Sequence, residues 1–336
     1  VVVQIVPRLP PPFEGVGSFA EGLATTLHEA SGIASRLLAA GSGAPGAVSE
    51  AAALAARLER EAGAGPVLLH YVGYGYHPRG CPGWLVDGLA AWKRSGGRRL
   101  VTLFHEVYAS GPPWRSSFWL SPAQRRLAAR LAGLSDGRVT SLALYRRLLR
   151  RLVPELAVAV LPVFSTVGEP AAVLPLAARA RRLVVFGGPG GRARAYHCHA
   201  ARLAAACRAL DLEEVLDVGP PGSVPVPAEV AGRPLRRLGE LPAAEVGALL
   251  AQSLAGFVAY PARFLAKSTV FAAYCAHGML PLCAARDENG DEDETPPFWE
   301  PASAEDPQRV ADRARAWYGT HGAGVHAALY RELLFP

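Results

Sequence analysis

Short apolar runs alternate with helix-length amphipathic segments along this chain, and the alternation fades near residue 165 and restarts near residue 180. In the first stretch, 1–6, 36–39, 66–71, 99–104, 137–141 and 156–162 read as strands. Segments 19–29, 51–61, 84–93, 121–132 and 142–152 read as helices, with Ser121 before Pro122 as a helix start. In the second, 182–186, 214–218, 235–238, 256–260 and 280–283 read as strands. Helices are expected over 199–210, after the turn that begins at Gly239, from Lys267 onward, and over 307–318 and 322–333. The runs 41–50, 71–80, 187–196 and the acidic 287–297 read as loops. Strand–helix alternation of this kind predicts an α/β chain with two largely parallel sheets, each gathering its ligand loops at the C-terminal ends of its strands.

At 336 residues, half of them apolar, the chain is long enough for two cores. The expected division is 1–165, 178–305 and a pair of closing helices over 306–336, packing back toward the first domain. A formal charge of +6 favours anionic ligands. No arginine-rich tail, zinc-finger spacing or aromatic RNA-binding signature is present, which argues for no nucleic-acid partner. Five cysteines, odd in number and without C-x-x-C, suit a reducing cytoplasm. The opening VVVQIV lacks a basic leader and reads as a strand, and no transmembrane span is expected.

Several loops carry chemistry. Gly15 and Gly17 follow the first strand, where a glycine backbone can approach a diphosphate or sugar closely; a tight turn would need the same residues. Lys267, Ser268 and Thr269 open an apolar helix, combining a cation, hydroxyls and unpaired helix N–H groups that suit an anion. Arg192 and Arg194 follow GGPGG and could add guanidinium contacts to phosphate oxygens. His105 and Glu106 stand just past a buried strand, placed to act on a sugar hydroxyl or a developing charge. Tyr74, Tyr76, His77, Tyr108 and Trp114 supply aromatic and hydroxyl groups for a sugar ring, though tyrosine and tryptophan also fill cores and interfaces. No histidine or cysteine set has convincing metal-ligand spacing, so no metal is expected. Arg146, Arg147, Arg150 and Arg151 form a basic helical face; such a face is more often merely solvated, and could also attract an anionic lipid-linked acceptor or a membrane surface.

Four stretches, PPPFEGVGSFAEGLA (10–24), VTLFHEVY (101–108), LVVFGGPGGRARAY (183–196) and AGFVAYPARFLAKSTVFAAYCAHGMLPL (255–282), resemble the two-domain GT-B glycosyltransferases. The likeness is to the retaining nucleotide-sugar group that includes glycogen and sucrose synthases. It spans nearly the whole chain. Gly15 and Gly17 match the family's first loop, His105 and Glu106 its His-Asp strand end, and Gly278 and Pro281 its last signature. The resemblance implies two Rossmann-like domains facing across a cleft, an acceptor on the first, and a nucleotide-diphosphate sugar on the second. It also implies metal-independent transfer, with the sugar as substrate rather than cofactor, in cell-surface glycan or glycoconjugate synthesis. The expected setting is cytoplasmic, peripheral to the inner face of a membrane.

One departure is pronounced. The family's paired glutamates, eight positions apart, align with Leu265 and Ala273, which have no side-chain acceptor. Two alternatives stay open beside transfer: a nucleotide-sugar epimerase of the same fold, using His105, Glu106 and His77, and a degenerate transferase acting as a binding or scaffold subunit.

Overall fold

A computed structural model describes residues 1–9, 15–40, 47–94, 96–285 and 295–336. Most of the proline-rich run before Gly15, most of the 41–50 loop and most of the acidic 287–297 loop lie outside the described residues. The chain divides into two compact units, Val1–Pro162 with Ala323–Pro336, and Val163–Gly322. The two closing helices part company: Pro307–Gly319 belongs to the second unit and Ala323–Leu334 to the first.

The first unit contains β1 (Val2–Val6), α1 (Gly15–Ser31), β2 (Ser35–Ala39), α2 (Ala47–Ala62), β3 (Val67–Tyr71), a single helical turn α3 (Gly73–Tyr76), α4 (Gly83–Lys93), β4 (Leu100–Phe104), α5 (Ser116–Leu134), β5 (Gly137–Thr140), α6 (Ala143–Leu152) and β6 (Ala159–Val160). Its six strands lie in the order β2-β1-β3-β4-β5-β6, all pairs parallel. β1, β3 and β4 are buried along their whole length, as continuous apolar runs in a sheet covered on both faces must be. The core on one face holds Ile5, Leu69, Leu85, Trp92 and Phe104, with α2 and α4 packed together above it.

The second unit contains β7 (Ala180–Phe186), α7 (Pro189–His197), α8 (Ala200–Ala209), β8 (Glu214–Val218), β9 (Glu229–Val230), β10 (Arg233–Gly239), α9 (Ala243–Gln252), β11 (Ser253–Pro261), α10 (Thr269–Ala276), β12 (Leu280–Ala285) and α11 (Pro307–Gly319); α12 (Ala323–Leu334) ends the chain. The order is β12-β11-β7-β8-β10-β9, parallel except for the edge pair β9–β10. Each unit is thus a Rossmann-like α/β layer structure whose first strand sits inside the sheet, so that the chain winds outward in both directions from it.

Three local readings change. The segment GGPGGRARAY is α7, not a loop. Gly188 is its N-cap and Pro189 its first residue, where a fixed φ and a missing N–H cost nothing. The α5 helix starts at Ser116, so Ser121 is buried within it and Pro122 is an interior proline. Gly15 and Gly17 lie in the first turns of α1 and not on a loop before it.

The junction after β7 and β8 depends on close backbone approach. Gly219 has φ +143°, and a Cβ there would stand 2.2 Å from the Gly187 carbonyl oxygen. No rotamer can relieve a clash with backbone, so Gly219→Ala is expected to lower stability by more than about 1 kcal/mol, read as a lower denaturant midpoint for the second unit.

Candidate functional site

In each sheet, the order reverses at the first strand, and the loops leaving it and its neighbours share one edge. That edge is the usual place for a ligand in an open α/β sheet.

In the first unit this edge carries the ends of β1, β3 and β4. His105 follows β4, its backbone N–H donating to the Tyr71 carbonyl at 3.0 Å. Its Nε2 lies 3.2 Å from Nδ1 of His70, and the two rings are inclined by 21° with their centroids 5.4 Å apart. His70 is fully buried and its Nε2 lies 2.8 Å from Oε1 of Gln4. Phe19 of α1 presents its ring edge-on to His70, His105 and His326. Burial pushes His70 down to about 3 and His326 down to about 4. On this edge a cavity of about 310 Å3 is lined by Gly73, Tyr74, Gly80, Glu106, Tyr108, Gln124 and Tyr145, among others. Gln124 organises this wall. Its Oε1 accepts from the Ala109 N–H at 2.8 Å, while its Nε2 donates to the Arg79 carbonyl at 3.0 Å and to the Tyr74 hydroxyl at 3.2 Å. Arg125 lies over the Tyr108 ring at 4.6 Å. Burial and the neighbouring Glu106 charge both raise Tyr145, keeping it a neutral phenol that can donate.

The aromatic residues expected to bind an acceptor therefore separate. Tyr74 and Tyr108 line the cavity with Glu106. Tyr76 does not: it is core, its hydroxyl donating to the His70 carbonyl at 2.9 Å and the Ile5 carbonyl at 3.2 Å. His77 orders its own turn, Nδ1 accepting from the N–H groups of Arg79 and Cys81. Trp114 is 84% exposed ahead of α5 and is not part of the cavity wall. Gln124 and Tyr145 were not anticipated. They sit mid-helix and near a helix start, and nothing in the sequence marks them as facing a strand end.

In the second unit the corresponding edge carries the start of α7 and the start of α10. Ser268 is the N-cap of α10, its Oγ accepting from the Phe271 N–H at 3.2 Å. Thr269 is the first helical residue. Lys267 ends a 3₁₀ segment, Ala262–Lys267, with its Nζ 6.0 Å from the Phe264 ring, over which Arg263 also lies at 5.0 Å. The loop after β7 reaches this helix: a Cβ on Gly187 would meet Val270 at 3.0 Å. Tyr274 fixes α10 over the sheet. Its hydroxyl accepts from the Phe186 N–H at 3.1 Å and lies 3.1 Å from the Val184 carbonyl, while its ring fills the space left by Gly256.

The two arginines of α7 also separate. Arg192 is buried and paired with Asp217, and it donates through Nε to the Gly187 carbonyl at 2.9 Å and through a terminal nitrogen to the Pro220 carbonyl. The Tyr196 hydroxyl completes the carboxylate at 2.8 Å. Arg192 thus holds the loops after β7 and β8 together and is withdrawn from the anion set. Arg194 is exposed. Leu265 and Ala273 are 0% and 1% exposed, packed in the core beneath this edge. Among the described residues no cluster of three or more His, Cys, Asp or Glu could hold a metal ion, and no helix is long and apolar enough to cross a membrane.

No family model matches the sequence, and no curated protein matches it either. Solved structures do match. An α-glucosyltransferase in complex with UDP superposes with TM-score 0.59 at 10% identity, covering 99% of this chain and 98% of that one. A glycosyltransferase from Rickettsia africae ESF-5 gives 0.58 at 13%, covering 99% and 98%. A Listeria monocytogenes protein assigned as a UDP-N-acetylglucosamine 2-epimerase gives 0.56 at 11%, covering 97% and 93%. The chain accordingly has the two-domain GT-B fold, shared by transferases and epimerases of nucleotide-sugars. The expectation of no nucleic-acid partner is overturned. The α-glucosyltransferase is also known with UDP-glucose and DNA containing an abasic site, at TM-score 0.57, 10% identity and 99% and 98% coverage. Tails and short motifs are only one route to nucleic acid; a folded surface can also contact it through residues scattered along the chain.

Two outcomes test these placements. Arg192→Ala should cost about 3–5 kcal/mol of stability by leaving Asp217 buried and unpaired, whereas Arg194→Ala should change it by no more than about 0.5 kcal/mol; denaturant titration of both variants compares them. His70 and His326 are neutral when folded but charge below pH 6.5 when unfolded, so stability should fall as pH drops from 6.5 toward 4. Each histidine contributes about 1.4 kcal/mol per pH unit, and His326→Gln should remove one such share from the measured slope.

Proposed function

We propose that this chain is a glycosyltransferase that moves a sugar from a nucleotide-diphosphate sugar to an acceptor hydroxyl. The observation that carries the proposal is the edge of the second sheet. There the capped start of α10 and the glycine loop opening α7 lie side by side, with Lys267 next to the cap. Departure of the diphosphate builds negative charge that must be neutralised, and helix N–H groups, a lysine and a hydroxyl meet that need without proton transfer. In this reading Lys267, Ser268 and Thr269 bind the diphosphate, with Arg194 reaching it from α7. Gly15 and Gly17 serve at the first turns of α1. Glu106, Tyr74 and Tyr108 hold the acceptor in the first-unit cavity, with His105 beside the reacting hydroxyls.

A second reading, a nucleotide-binding subunit that does not transfer sugar, is favoured by Leu265 and Ala273. Both are core residues where the resembling family has polar contacts to donor sugar and ribose. An epimerase reading draws on the shared fold and on His105 and Glu106, while His77 Nδ1 is engaged in its own turn.

Calorimetric titration with a panel of nucleoside diphosphates, followed by product analysis with matching sugar donors and both glycan and DNA acceptors, separates the three. Lys267→Ala should weaken diphosphate binding by roughly tenfold to a hundredfold, the loss of one charge-assisted contact of about 1.5–3 kcal/mol, while the melting temperature stays unchanged. Unchanged affinity would remove Lys267 from the site. His105→Ala should lower kcat by about 10²-fold or more with little effect on bare nucleotide binding. Tight nucleotide binding without transfer or epimer formation would select the binding-subunit reading.

A further inference from the structure

Two polar side chains interrupt β1 and β3, strands buried along their whole length. Gln4 stands in the middle of VVQIV and His70 near the end of VLLHY, and both are fully buried. An apolar residue would fill either position without desolvation. Gln4 even leaves its Nε2 buried with no hydrogen-bond partner, so its amide is not there to satisfy its own polar atoms. What the pair does is connect. Gln4 Oε1 faces His70 Nε2, and His70 Nδ1 faces His105 Nε2.

The direction of this chain follows from donor and acceptor rules. A carbonyl oxygen only accepts, so His70 must carry its proton on Nε2. A neutral imidazole has one N–H, which leaves His70 Nδ1 as an acceptor. His105 must then donate through Nε2, and when neutral it carries its lone pair on Nδ1. The depressed pKa of His70, caused by burial, keeps it neutral and the polarity fixed. Phe19 of α1 also meets the His105 ring edge-on, and it meets His326 of α12 as well.

We propose that Gln4 and His70 are positioning residues that lock His105 into the Nε2–H tautomer, making Nδ1 the ring atom that accepts a hydrogen bond from a substrate hydroxyl. The lock stands on the geometry of the first unit; its use on a hydroxyl rests on the glycosyl-transfer reading. Of the three residues in this row, only His105 touches substrate. Gln4 and His70 act through it, by denying the ring its alternative tautomer and by holding its plane close to that of the His70 ring, 21° away.

The test separates these two parts. Two-bond ¹⁵N–¹H correlation spectra of histidine-labelled wild-type protein, recorded near pH 8 where a histidine of ordinary pKa is neutral, report which ring nitrogen carries the proton. His70 and His105 should both show a protonated Nε2 and a bare Nδ1. A neutral His105 protonated on Nδ1 would overturn the proposal, because the chain would then run in the opposite direction. Gln4→Leu removes the anchoring acceptor while keeping the volume apolar. It should convert His105 to a mixture of tautomers and lower kcat by about tenfold or more, as loss of an orienting partner does, with the donor KM little changed. If Gln4→Leu does not fold, Gln4→Met is the second variant, and the wild-type spectrum decides the lock by itself. The expected tautomers with unchanged kcat in Gln4→Leu would overturn the positioning role. A wild-type protein with the expected tautomers but no turnover on any donor would instead count against the glycosyl-transfer reading.

Discussion

Parallel pairing is the constraint on which the rest of this structure depends. Neighbouring parallel strands cannot be joined by a tight turn, so each connection must cross a face of the sheet and return to the starting edge. Both faces are thereby covered, the central strands become apolar throughout, and every strand empties onto the same edge. In both units the candidate site residues lie on that edge. His105 and Glu106 leave β4, Gly187 and Gly188 leave β7, and the segment containing Lys267 leaves β11. Their grouping is a result of connectivity, before any particular side chain is considered.

The edge of the second unit is kept in shape by contacts that would be unfavourable in isolation. A buried Arg192–Asp217 pair must offset the desolvation of two charges, and such pairs often add little net stability. Here the guanidinium also binds two loop carbonyls and the carboxylate also receives the Tyr196 hydroxyl. The product is geometry more than stability: the loops after β7 and β8 are tied to one another where Gly187 and Gly219 come too close for any side chain. Tyr274 performs the same service for α10, with its phenol reaching backbone of β7 and β11 and its ring occupying the space above Gly256.

The first unit uses another device. Its cavity wall is built by Gln124, whose amide hydrogen-bonds to three different segments, and its strand-end histidine is backed by a buried Gln–His chain. Such polar residues are costly in an apolar sheet and valuable only if completely oriented, since a low-dielectric surrounding strengthens each bond that is made.

The sequence alone determined every strand but the two-residue edge strand β9, because a continuous apolar run bounded by turn residues has few other uses in a chain that alternates with helices, whereas Glu229–Val230 is too short to form such a run. It also determined the α/β class, the restart near residue 180 and the capped helix at Ser268, all of which are local patterns. Local pattern misled at GGPGGRARAY, where four glycines suggested a loop and Pro189 at a helix start was decisive, and at Ser121, which is a plausible cap by type but lies inside a longer helix. What only the tertiary structure decided was the partner of each polar side chain. Arg192 and Arg194 look equivalent two residues apart, yet they lie on different sides of α7, one buried against Asp217 and one exposed. Tyr74 and Tyr76 differ in the same way, one on a cavity wall and one in the core. Gln4, His70 and His105 are 66 and 35 residues apart along the chain, and only the adjacency of β1, β3 and β4 brings them into one hydrogen-bonded row. Sequence spacing encodes which face of an element a residue occupies; which side chain waits on the neighbouring strand is set by the order in which the strands pack.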